Sequence, residues 1–147
     1  MTQRKQRLQR LLTIRRIAEG IERRNLQSAF GSLAEAETAL SQQQSAIADA
    51  IEVASSALQS GDRSEWLFAE AQAEVAGWNR MRLAPVVESR RTEIPPVTAA
   101  FLDRRRDAEQ MQQLVENNRV QQQLVGNRKA QAAADEWFLA QRARKRK

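Results

Sequence analysis

Residues 4–59 contain no proline and only two glycines, Gly20 and Gly31. Within that run Leu26, Leu33, Leu40, Ile47 and Ala54 recur every seven residues. Four further on from each lie Phe30, Glu37, Gln44, Ile51 and Leu58. Placed as d and a positions, the two rows make the narrow stripe of a coiled coil rather than the broad apolar face of a globular helix. Leu8, Leu11, Ile14, Ile17 and Ile21 also fall at helical spacing but in another phase, which reads as a stutter between Ile21 and Leu26. The expected seam is Leu26, Phe30, Leu33, Leu40, Ile47, Ile51 and Leu58. Glu37 and Gln44 weaken it, and polar residues inside a seam can fix register.

Ser60-Gly61-Asp62-Arg63-Ser64-Glu65 is the clearest punctuation in the chain. Gly61 suits a left-handed C-cap, and Asp62 with Glu65 three residues later has capping-box spacing. A connection this short between two long amphipathic helices favours an antiparallel hairpin. The second stripe starts with Leu67, Ala71, Trp78 and Met81; Leu67 and Trp78 are its seam members. Pro85 and Pro95-Pro96 then fall inside it. An interior proline removes one hydrogen bond and costs ~3 kcal/mol or more, so a kink or interruption is expected over 85–96. Beyond it Phe101, Ala108, Met111, Val115, Val125, Ala132 and Leu139 follow a weaker heptad. The expectation is all-α: one elongated domain over 1–147, a long antiparallel two-helix coiled-coil hairpin. Helix 1 covers about 4–59, the turn 60–64, and helix 2 about 65–145 with its break at 85–96. Folding near position 62 pairs residue i with about 124−i and brings both termini to one end of a rod.

The chain has 147 residues and no cysteine, histidine or tyrosine. That removes disulfides, Cys/His zinc sites, Ser–His–Asp and Cys–His nucleophiles and the usual proton carrier near neutral pH. The carboxylates do not converge: Asp103 with Asp107, and Asp135 with Glu136, read as solvated helix faces. No enzyme, metal, cofactor or small-molecule substrate is expected. No apolar run reaches the length of a secretory signal or a membrane span. The absence of cysteine fits a cytoplasmic protein.

The net charge is +6, and its placement matters more than its size. Residues 1–24 hold eight basic residues against Glu19 and Glu22, and residues 137–147 hold five and no acid. All the surplus positive charge is therefore terminal, and the stretch between is acidic. Such ends suit phosphate, anionic lipid or an acidic protein surface; as a bland alternative, they solubilise helix flanks and complement a helix dipole. No zinc-finger, RNA-recognition or homeodomain pattern appears, so nucleic acid is not the expected partner. Trp137-Phe138-Leu139 beside the basic tail is either a protein-binding anchor or, as we expect, a cluster packed on Leu8, Leu11 and Leu12.

The Arg- and Leu-rich start (Arg7-Leu8-Gln9-Arg10-Leu11-Leu12, then Ile14-Arg15) and the closing Lys129…Ala134-Asp135-Glu136…Ala140-Gln141-Arg142 resemble the FliJ family of flagellar export proteins. The resemblance covers nearly the whole length, and injectisome stalk proteins of the YscO type share the plan. It implies a non-catalytic cytoplasmic stalk similar to the gamma subunit of rotary ATP synthases, at the cytoplasmic face of the inner membrane. Its implied partners are a FliI-like hexameric export ATPase, a FlhA-like export gate and export chaperones, through which it would meet the membrane peripherally. Charge polarity then places Arg7, Arg10, Arg15, Arg142, Arg144 and Arg146 against the ATPase, with Trp137 and Phe138 stabilising that end. The other expectations are a basic coiled coil bound to nucleic acid or the ribosome, and a generic scaffold or membrane-surface protein.

Overall fold

A computed structural model describes residues 2–146; Met1 and Lys147, the last residue of the basic tail, lie outside the described residues. Two helices account for nearly all of it: α1, Thr2–Ser60, and α2, Arg63–Lys145. They pack against each other as a two-helix hairpin. The turn is tighter than expected, and α2 begins two residues earlier, because its two ends are closed by local hydrogen bonds. Gly61 has φ 79°, the left-handed conformation that a glycine C′ residue adopts without strain. It lets the Asp62 N–H reach back to the Ala57 carbonyl at 3.0 Å. Asp62 then caps α2: its Oδ1 accepts from the Glu65 N–H at 3.1 Å, and its carbonyl accepts from the Trp66 N–H at 3.1 Å.

The chain divides into two compact units, one of Ile21–Phe101 and one of Met1–Gly20 with Leu102–Lys147. In the turn-bearing unit Asn79 pairs with Gln43, Arg91 with Glu37, and the Arg23 guanidinium lies 5.7 Å from the Phe101 ring centre. Partners rise on α2 as they fall on α1, which is the antiparallel order expected from a fold near position 62. In the other unit Arg15 pairs with Asp107 at 3.4 Å, and the Arg16 guanidinium donates to Gln112.

The seam differs from the expected one in its second row. Leu26, Leu33, Leu40 and Ile47 are partly buried and Ala54 buried, as expected, but their companions are Ala29, Ala36, Gln43, Ala50 and Ala57, three residues on rather than four. Phe30, Ile51 and Leu58 are exposed and lie outside the seam. Glu37 and Gln44 lie outside it too. Across from α1, the inward positions are Trp66, Ala69, Ala73, Ala76, Leu83 and Val87; Leu67 and Trp78 point away and are exposed. The reason is backbone distance. Ala57 is 1% exposed and Ala69 0%, so small residues let the two backbones come close, and larger side chains are pushed to the flanks.

Two further expectations change. The inward positions Leu8, Leu12, Arg15, Glu19, Glu22 and Leu26 alternate spacings of four and three without a stutter. Polar residues hold seam places there, while Leu11, Ile14, Ile17 and Ile21 are exposed. Nor is α2 interrupted: it runs through Pro85, Pro95 and Pro96 as one helix. All three prolines are exposed, as are Met81, Arg91 and Thr92, whose carbonyls lose their helical donors. Water can satisfy those carbonyls, so the penalty stays at hydrogen bonds on the outer face while the seam on the inner face holds the helix together.

Candidate functional site

Both basic ends of the chain belong to the unit built from residues 1–20 and 102–147. On α1 Leu8, Leu12, Arg15, Ala18 and Gly20 are partly buried and Glu19 is buried; on α2 Ala108 is buried and Asp107, Met111, Val115, Asn118, Gln122 and Val125 are partly buried. After Val125 burial stops. Every described residue from Gly126 to Arg146 is exposed, although α2 continues to Lys145. The last five turns of α2 thus stand beyond its buried stripe.

This overhang places the aromatic cluster differently from the expectation. Trp137 is 58% exposed and Phe138 65%, so they do not pack on Leu8, Leu11 and Leu12. They contact each other edge to face, with centroids 5.4 Å apart and planes at 82°. Arg142 and Arg144 sit in the last turn of α2 and Arg146 in the turn just after it. There they complement the negative end of the helix dipole.

The other half of the basic surface has no such explanation. The first turn of α1 carries no acidic residue, and Arg4 and Lys5 lie in it, at the positive end of that helix. Cations there oppose the dipole by ~0.3–1 kcal/mol each. Of the six arginines expected to face a partner, Arg7, Arg10, Arg142, Arg144 and Arg146 are exposed. Arg15 is partly buried and spends its guanidinium on Asp107, making it a seam residue first.

Besides Arg15–Asp107 and Arg91–Glu37, several ion pairs join residues three or four apart. Glu116 and Arg119 make the tightest, with Nη2 2.6 Å from Oε1. The hydrogen bond from Arg119, aided by its charge, holds the Glu116 carboxyl below the usual glutamate range. Among the described residues no group of three acidic side chains could hold a metal ion, and no helix is long and apolar enough to cross a membrane.

One surface escaped the sequence reading. On the flank of the seam near the turn, Val53 from α1 and Phe68, Ala71 and Val75 from α2 line an open groove of about 610 Å³. The row of alanines at 29, 36, 50 and 57 carried the signal. An alanine seam forces bulky neighbours outward. Comparison with protein-family models, with curated proteins and with solved structures gives no match.

Proposed function

We propose that this chain is a non-catalytic stalk of a flagellar-type protein export apparatus, coupling a hexameric export ATPase of the FliI kind to an export gate of the FlhA kind and handling export chaperones. The reading rests on the resemblance of both chain ends to the FliJ family. It is supported most by one observation: the two basic ends share a unit, and one of them overhangs its partner helix with Trp137 and Phe138 exposed. A basic, aromatic helix end left exposed has the composition of a protein-binding hot spot. Arg4 and Lys5 stand at an electrostatic cost to their own helix, which selection for a partner would explain. In this reading Arg7, Arg10, Arg142, Arg144 and Arg146 face the ATPase, and Arg15 positions α1 against α2 through Asp107. The chain acts at the cytoplasmic face of the inner membrane through its partners.

The test is reversal of Arg7, Arg10, Arg142, Arg144 and Arg146 to Glu, with binding to the purified ATPase measured beside circular dichroism. Loss of binding with helicity retained is expected. Undiminished binding would remove these ends from the interface. The same exposed charge supports a second reading, contact with a nucleic-acid backbone. Its signature is a partner lost on nuclease treatment and a steep fall in affinity with salt.

A further inference from the structure

The groove near the turn is apolar and its surroundings are acidic. The sequence over 46–76 that carries it holds six acids, Asp49, Glu52, Asp62, Glu65, Glu70 and Glu74, and one basic residue, Arg63. Asp49 itself lines the groove beside Val53, Phe68 and Val75, three large apolar side chains left exposed by the alanine seam. An apolar groove with an acidic rim calls for an amphipathic helix with a basic rim. Two such grooves do not fit each other, since a two-fold pairing would set acid against acid.

The chain carries the complementary element. In the overhang of α2, Ala130, Ala133, Ala134, Trp137 and Phe138 stand at i, i+3, i+4, i+7 and i+8, the spacing of one apolar helix stripe. Asp135 and Glu136, the only acids of the overhang, fall on the opposite side of the helix. Arg144 and Lys145 follow on the stripe's own side of the helix and Lys129 and Arg142 lie on its flanks, while Arg128 and Arg146 fall on the side of Asp135. Nothing in the structure covers the stripe.

We propose that the groove lined by Val53, Phe68 and Val75 in one copy takes the Trp137–Phe138 stripe of a second copy. The contact is heterologous, with a different surface used on each side, so copies add head to tail, into rings or open chains. It does not depend on the stalk reading. If that reading holds, self-association keeps the aromatic tail covered until another partner competes for it.

Two variants of the full chain test this: one carrying Phe68→Glu and Val75→Glu, the other Trp137→Glu and Phe138→Glu. All four side chains are exposed, so neither variant removes a buried contact, and circular dichroism checks that both remain helical. Sedimentation velocity follows each from about 1 to about 100 μM, a range that brackets weak specific association. The parent protein is expected to grow in mass beyond the 16.7 kDa monomer as concentration rises, less so at high salt. Each variant alone stays monomeric. Mixed in equal amounts they form a dimer and nothing larger, since one supplies an intact tail and the other an intact groove. A parent that stays monomeric, a variant that associates alone as the parent does, or a mixture without dimer overturns the proposal.

Discussion

Asn79 on α2 donates from Nδ2 to Oε1 of Gln43 on α1 at 3.3 Å, a polar pair in a seam otherwise built of Ala, Leu, Ile and Val around it. Side chains of similar size could slide past one another along an alanine-rich seam. A single amide pair fixes where they stop.

The pair predicts an asymmetric mutant series. Gln43→Leu or Asn79→Leu alone leaves one part-buried amide without its partner and costs about 1 kcal/mol. The double variant recovers that loss or becomes more stable than the parent, since apolar groups replace both partners. Urea unfolding of the four proteins measures it. A double variant whose loss equals the sum of the singles would show that the two side chains do not interact.

The alanine seam predicts that size, more than apolarity, is what its positions select. Ala57→Leu places a large side chain where 1% of the residue is exposed and should cost roughly 1–3 kcal/mol by overpacking. Ile51→Ala, at an exposed flank, should change stability by no more than ~0.5 kcal/mol. Had the seam contained Ile51, the ranking would reverse. The shift of the urea midpoint at constant slope decides between them.

Continuity of α2 makes the prolines a standing penalty. Pro85→Ala and Pro95→Ala restore helical N–H donors to the Met81 and Arg91 carbonyls, and each should raise stability by up to ~3 kcal/mol. Thermal melts followed at 222 nm measure it. Prolines sitting at a real break would instead give variants no more stable than the parent.

Glu116 offers a local check on unit geometry. Its carboxyl is held low chiefly by the hydrogen bond from Arg119 and then by that guanidinium's charge. A depressed carboxylate contributes stability above the unfolded pKa, and that contribution is lost as pH falls through the folded value. Arg119→Gln should return the Glu116 titration, followed by carboxyl carbon NMR, toward the ordinary glutamate value. An unchanged titration would mean that the pair does not persist in solution.

What could be read from sequence was local chemistry. Gly61, Asp62 and Glu65 announced the turn because a left-handed cap and a capping carboxylate act within six residues. The Leu26–Ile47 row announced a coiled coil because seven-residue spacing needs no knowledge of the partner helix. Three features depended on that partner and were misread. Phe30, Ile51 and Leu58 outranked Ala29, Ala50 and Ala57 on hydrophobicity, yet the distance between the backbones favoured alanine. Pro85, Pro95 and Pro96 looked like a break because their penalty is local, whereas the packing that offsets it lies on the other face of α2. Trp137 and Phe138 suggested a cover on α1, but they lie in the stretch after Val125 where α2 is exposed all round.

In the proposed stalk the overhanging basic end engages an export ATPase. Affinity capture of the tagged full chain from its native cells tests this most directly, with nuclease treatment and two salt concentrations, followed by identification of the bound proteins. A hexameric export ATPase and an export-gate component should be recovered and withstand nuclease, and both should be lost when Arg142, Arg144 and Arg146 are reversed to Glu. Recovery of nucleic acid or ribosomal proteins alone, released at the higher salt, would contradict it.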